Sequence, residues 1–222
     1  MKYPNICRGS FIDRPNRFIA RAEINGRIHS VHVKNTGRLK ELLVPGAEVF
    51  LTAPGTPGRK TAYDLVAVAK PDGQIVNIDS QAPNFVAREW LEKRDFDRII
   101  PEYAFGDSRL DFYMEKGGER FLMEVKGCTL ERGGVGFFPD APTLRGAKHL
   151  NELAGAVKQG YKAYLAFVIQ MEGVCEVRPN TDTDPAFASA LENAVKSGVK
   201  PVFITCRVTP DSLEADGKTG GP

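Results

Sequence analysis

The sequence predicts a two-lobed protein of mixed α/β class, in which a small β-barrel is followed by a mixed sheet with helices on its faces. Three observations carry that prediction. Up to residue 78 the chain is a series of short β-like runs, ICRGSFI, RFIARAEI, RIHSVHV, AEVFL, AYDLVAVAK and QIVNI, separated by Pro, Gly and Asn. Residues 109–127, RLDFYMEKGGERFLMEVKG, form two apolar, aromatic halves around Gly117-Gly118, the mark of a hairpin. Beyond them, helical patterns alternate with continuous apolar runs. With 222 residues and 42% hydrophobic content, the chain has enough apolar material for two ordinary cores.

In the first lobe the clearest local signal is Asn25-Gly26, a type I′ turn joining 17–24 to 27–33. Strand alternation sends Ile28, Ser30 and His32 to one face and His29, Val31 and Val33 to the other, so the two histidines do not share a metal site. Five or six strands of this length predict a Greek-key barrel, an architecture that binds nucleic acid through basic loops and stacked aromatics. Two loops offer such contacts: Lys34, Asn35 and Arg38, followed by Lys40, form one, and Arg59 with Lys60 the other. A solvated turn is the plain alternative for both.

Residues 79–84, DSQAPN, are polar and contain a proline. They predict the boundary between a lobe at 1–83 and a lobe at 84–209, with Asn84 capping a helix through Phe85, Val86, Trp90 and Leu91. A short strand after Pro101 brings Glu102 just upstream of the hairpin. Past the hairpin, GGVGFFPD reads as a glycine-rich loop without the Walker spacing, and Thr143 caps a helix ending at Gly160. Leu144, Ala147, Leu150, Leu153, Ala154 and Val157 give that helix its apolar face, and Arg145, Lys148, His149 and Glu152 give it a charged ridge. Residues 163–170 predict a buried strand, 185–197 an amphipathic helix closed by Gly198, and 201–208 a further buried strand. Residues 210–222 predict a disordered tail.

The hairpin carries the chemistry. If Lys116 faces Glu119 across Gly117-Gly118, the same register sets Asp111 opposite Glu124, with Cβ atoms roughly 4.5 to 5.5 Å apart. Lys126 projects to the same side while Val125 turns into the core. Opposed carboxylates destabilise a strand pair unless something neutralises them, and a divalent cation, Mg²⁺ or Mn²⁺, held by carboxylate oxygens does so. Asp111 and Glu124 are the candidate ligands, with Glu102 as a third. Lys126 can then orient or deprotonate a water, or stabilise charge building on a phosphate. Arg145, Lys148 and His149 form a ridge that can grip the phosphate backbone. The competing reading is a hairpin whose charges merely face solvent.

Charge distribution leans the same way. Residues 1–84 carry 12 Lys+Arg against 7 Asp+Glu, whereas residues 85–222 carry 18 against 21. A basic lobe joined to an acidic, metal-competent one suits a phosphodiester ligand. The N-terminus has no apolar h-region and no stretch approaches the roughly 18 apolar residues of a membrane span, so a cytoplasmic protein without a membrane partner is expected. Cys7, Cys128, Cys175 and Cys206 lie far apart, which favours reduced thiols over disulfides or zinc, with Cys128 a buried filler.

Pro101-Glu102 followed by SRLDF and MEVKGCTL resembles the active-site signature of restriction-endonuclease-like enzymes. There, an acidic residue and an (Asp/Glu)-x-Lys tripeptide on a hairpin bind Mg²⁺. HVKNTGRL, SRLDF, EVKGCTL and FFPDAPTLRGAKHLNEL together resemble the sugar fermentation stimulation protein family over nearly the whole chain. That resemblance implies an N-terminal OB-like barrel, a C-terminal nuclease-like domain and non-specific DNA binding, with a proposed regulatory part in maltose metabolism. Two functions of different class follow. One is a Mg²⁺-dependent phosphodiesterase, a deoxyribonuclease using Asp111, Glu124 and Lys126. The other is a non-catalytic DNA-binding regulator whose nuclease fold only grips the backbone.

Overall fold

The computed structural model describes residues 1–55 and 57–217. Six strands make the first lobe: β1 (Ile6–Asn16), β2 (Ile19–Ile24), β3 (Arg27–Val33), β4 (Glu48–Thr52), β5 (Asp64–Ala69) and β6 (Ile75–Asn77). Their order, β3-β2-β1-β4-β5-β6, closes on itself through a parallel pairing of β3 with β5, so five strands form a barrel of the OB type and β6 extends its rim. Asn25 and Gly26 take the positive φ angles, 52° and 75°, that the expected turn demands. The two histidines part as alternation requires. His29 packs edge-on against Tyr63, and His32 Nδ1 lies 3.4 Å from Asp64 Oδ1.

The second lobe begins with α1 (Ala82–Glu92) and the strands β7 (Arg98–Phe105), β8 (Ser108–Lys116) and β9 (Glu119–Cys128). A small hairpin, β10 (Leu130–Arg132) and β11 (Val135–Phe138), leads to α2 (Leu144–Lys158), β12 (Lys162–Ile169) and β13 (Val177–Pro179). The lobe is completed by α3 (Pro185–Lys196), β14 (Lys200–Ile204), β15 (Cys206–Thr209) and β16 (Ser212–Ala215). The central sheet runs β14-β12-β9-β8-β7; it is antiparallel across β7, β8 and β9, and parallel across β9, β12 and β14. Val86, Trp90 and Leu91 of α1 share one apolar cluster with Met123, Val125 and Ala166, while Leu150 and Leu153 of α2 share the other with Leu122 and Leu165. Alternation along β9 therefore turns Val125 towards α1 and Glu124 away from it.

Several local expectations are corrected. Asn84 does not cap α1, which starts at Ala82; Pro83 sits in the first turn, where its missing N–H costs nothing, and Asp79 accepts from the Gln81 amide. GGVGFFPD is part of a hairpin, not a loop, because Gly133 and Gly134 supply the positive φ angles of a tight turn between β10 and β11. Leu144, the first residue of α2, is 92% exposed. The packed part of that helix starts at Gly146, where a Cβ would stand only 3.1 Å from the Phe187 ring. The strand expected at 201–208 breaks at Thr205 into β14 and β15. The expected disordered tail instead begins as an ordered hairpin: Pro210-Asp211 forms its turn, β16 pairs with β15, and Leu213 is fully buried. The rest of that tail, 218–222, lies outside the described residues.

A polar seam joins the lobes. Gln170, at the end of β12, donates from Nε2 to Asn77 O at 3.1 Å, to Asn77 Oδ1 at 2.9 Å and to Asp79 O at 3.1 Å. A Cβ on Gly127 would lie 2.2 Å from Gln170 Oε1 and 2.7 Å from Pro83 Cγ, so only glycine fits this approach. Lys70 of the barrel also meets Glu131 at 2.8 Å.

Candidate functional site

The hairpin register is the expected one, with Lys116 paired to Glu119 and Phe112 to Met123. Its regular pairs end there, one short of Asp111 and Glu124. Asp111 Oδ2 accepts from the Val125 amide at 2.7 Å, and its Oδ1 accepts from Asn84 Nδ2 at 2.7 Å. Burial, then the neighbouring Glu124 carboxylate, push the Asp111 carboxyl up to about 6, against the opposing pull of the Val125 amide, Lys126 and Asn84.

Glu124 is 2% exposed. Its Oε1 accepts from Lys126 Nζ at 2.6 Å and also meets His149 Nδ1 from α2, whereas its buried Oε2 has no partner. Burial pushes the Glu124 carboxyl up, but the bonds from His149 and Lys126 together outweigh it and hold the group below the usual carboxylate range. The second ring nitrogen of His149 accepts from Arg145 Nε at 3.4 Å, one helical turn earlier. Asn84, which sequence reasoning treated as a cap, thus orients Asp111, and His149, which it placed on an exposed ridge, orients Glu124.

These groups lie in a cleft of about 750 Å³ whose walls come from both lobes. Asn35 and Arg38 of the barrel line it with Asp111, Glu124, Lys126, Asp140 and Arg145. Asn35 is fixed by Nδ2 donating to Ile78 O at 2.9 Å, and the Arg38 amide donates to Asp140 Oδ2 at 3.0 Å, which closes the loop against the second lobe. Pro142, Thr143 and Arg145 bring the N-terminus of α2 to the same cleft. Thr143 Oγ1 caps that helix by accepting from the Gly146 amide at 3.0 Å, and its dipole favours an anion. Arg17 also lines the cleft and was not singled out from the sequence; nothing local marks a turn arginine as facing a site formed by a distant hairpin.

Other expected contacts fall elsewhere. Glu102 is not brought to the carboxylates: it takes a φ of 53°, its side chain is 62% exposed, and it lies 3.9 Å from Arg109 Nη1 outside the cleft. His149 is 4% exposed and committed to Glu124, so it is not a backbone-gripping surface group. Lys148 turns to Asp107 O at 3.2 Å and Glu152 at 3.7 Å, away from the cleft lining. Lys34 pairs with buried Asp64 at 3.1 Å, and Arg59 also binds Asp64, so both are engaged within the barrel; Lys40 and Lys60 stand exposed.

No group of three or more His, Cys, Asp or Glu side chains converges on a metal position among the described residues. What the cleft offers is two carboxylates with one buried, unpartnered oxygen, and that orphan fits a cation better than any neutral neighbour. Cys128, close by, is a buried filler whose thiol burial pushes up to about 12.

Comparison with known proteins adds three findings. Residues 12–78 match the family described as "SfsA N-terminal OB domain", and residues 81–212 match "Sugar fermentation stimulation protein RE domain". The sugar fermentation stimulation protein homologue of Desulfitobacterium hafniense (strain DSM 10664 / DCB-2) is 52% identical over 97% of this chain and 95% of its own. That of Clostridium beijerinckii is 48% identical over 96% of each. Among solved structures, Pyrococcus furiosus SfsA in complex with Ca²⁺ superposes with a TM-score of 0.84 at 28% identity, over 97% of this chain and 96% of that one.

Proposed function

The chain belongs to the sugar fermentation stimulation protein family, and from that premise we propose that it is a DNA-binding protein without sequence preference whose cleft is a divalent-metal-dependent phosphodiesterase site. The observation that carries this reading is the buried, unpartnered Oε2 of Glu124 beside the Asp111 carboxylate. That the Pyrococcus furiosus relative was solved in complex with Ca²⁺ supports divalent-cation binding. Asp111 and Glu124 would hold Mg²⁺ or Mn²⁺, which neutralises the apposed carboxylates and polarises a phosphate oxygen. Asn84 and the Val125 amide fix Asp111, while His149 and Lys126 engage Glu124 Oε1 and leave Oε2 without a protein partner. Lys126 sets a positive charge where charge builds on the phosphate. Arg38 and Arg145 hold the flanking backbone at the cleft wall, and Lys40, Lys60 and the α2 dipole add long-range attraction.

In this reading residues 1–83 serve mainly as the DNA-binding lobe and 84–209 as the catalytic one. Four unpaired cysteines support a reducing, cytoplasmic setting, and no helix among the described residues is long and apolar enough to cross a membrane. One contact favours a second reading, a regulator that binds without cutting: Lys126 already spends its ammonium on Glu124 Oε1. Incubation of purified protein with labelled DNA in Mg²⁺, Mn²⁺ or chelator separates the two. Cleavage that needs a metal and is lost in Asp111→Asn supports the first; intact DNA under every condition, with no ion bound, leaves the second.

A further inference from the structure

Arg14, near the end of β1, makes an unusual set of contacts. Its Nη1 donates to the carbonyls of Gly37 at 2.8 Å and Arg38 at 3.2 Å, and its Nη2 to those of Arg17 at 2.7 Å and Asn35 at 2.5 Å. One guanidinium therefore ties the turn between β1 and β2 to the 34–38 loop through four charge-assisted bonds. What Arg14 fixes is the relative position of the side chains those two loops present. They are Arg17 and Arg38, both on the cleft wall, and Phe18, whose ring is 52% exposed with the Arg17 guanidinium 5.9 Å from its centroid. Neither Arg17 nor Arg38 has a carboxylate within ion-pair distance among the described residues.

We infer that this lip binds single-stranded nucleic acid, Phe18 stacking against an exposed base while Arg17 and Arg38 take the adjoining phosphates. The inference rests on reading the cleft as a phosphodiester site and names the form of its substrate. A single exposed aromatic is ordinary on a protein surface, but one held on a clamped turn beside two free guanidiniums has the make-up of a stacking platform. The faces of bases are free for such contact only where the strand is unpaired. A single strand is also flexible enough to carry one phosphate from this lip to the carboxylates in the cleft of about 750 Å³ that Arg17 and Arg38 help to line.

The test is binding in chelator, where nothing is cut. Fluorescence anisotropy is measured with a labelled oligonucleotide of about 16 nucleotides, the upper site size of such barrels, as single strand and as duplex. The single strand binds more tightly. Phe18→Ala lowers single-strand affinity roughly 5- to 150-fold, a stacked base being worth about that much, with duplex affinity within about twofold. Phe18→Trp restores it, and an abasic strand binds wild type only as tightly as it binds Phe18→Ala. Equal or tighter duplex binding, unchanged affinity in Phe18→Ala, or failure of Phe18→Trp to restore binding overturns the inference. The retained duplex affinity of Phe18→Ala serves as its folding control. A protein that depends on Phe18 for single strands but never cuts removes the phosphodiesterase reading alone; one that cuts yet ignores Phe18 removes this inference alone.

Discussion

Lys126 Nζ stands 2.6 Å from Glu124 Oε1, the oxygen that also meets His149, while Oε2 of the same carboxylate has no partner. The carboxylate is divided, one oxygen committed to the chain and one available. Loss of Lys126 therefore differs from loss of a ligand. Lys126→Ala keeps Mg²⁺ or Mn²⁺ binding and lowers cleavage by about 10²-fold or more. Asp111→Asn abolishes ion binding and, by removing one of two apposed buried charges, leaves the fold as stable in chelator or about 1 kcal/mol more stable. Ion titration, single-turnover cleavage and urea denaturation of both variants check the contrast.

His149 acts on the ion only through Glu124. His149→Ala lowers ion affinity about 10- to 100-fold, as for other groups that orient a ligand carboxylate, and costs about 1–3 kcal/mol of stability by leaving Glu124 Oε1 short of a donor. His149→Asn, which can place an amide N–H near the position of Nδ1, recovers part of the affinity. Equal ion affinity in wild type and His149→Ala removes the positioning role.

The two basic loops of the barrel differ in what their charges face. Arg38 and Lys40 have no ion-pair partner among the described residues, whereas Arg59 is bound to Asp64. Changing Arg38 and Lys40 to Ala lowers the slope of log affinity against log salt by up to about two, and weakens binding to all sequences alike. Changing Arg59 and Lys60 to Ala lowers it by about one at most. Titrations between about 50 and 200 mM salt measure both slopes.

Asp64 is buried, and burial pushes its carboxyl up, but the bonds from Arg59 and Lys34 outweigh this and leave it below the usual carboxylate range. A group whose pKa is lower folded than unfolded contributes stability above its unfolded value of about 4 and loses it as pH falls through the folded value. Asp64→Asn is then about 3 kcal/mol less stable than wild type at pH 7, through the uncompensated cations, and the gap narrows below about pH 4. Urea denaturation at pH 7 and in steps below pH 5 checks both the size and the narrowing.

Most of the fold was legible because its signals are local. Asn25-Gly26 and Gly117-Gly118 set hairpin registers from dipeptides alone, and the latter brought Asp111 to Glu124 across more than a dozen residues of sequence. The site was only half legible, because its remaining parts arise from packing between distant elements. Helical periodicity places His149 with Arg145, Lys148 and Glu152 on a polar stripe, and only the docking of α2 on the sheet shows that Glu124 waits beneath it. Glu102 was favoured by closeness in sequence, but its positive φ turns the side chain outward. Arg14, Arg17 and Phe18 carried no signal, since the 34–38 loop that gives them meaning lies some twenty residues on.

Gln170 reaches from the end of β12 to Asn77 and Asp79, and Gly127 leaves room for both Gln170 and Pro83, which a Cβ there would meet. Separating the lobes would strand those buried polar groups without partners, each at a cost of about 1–3 kcal/mol, before any apolar surface is counted. Barrel and sheet therefore melt as one cooperative unit: a heating scan gives a single endotherm, and neither half excised alone keeps the stability it has in the whole.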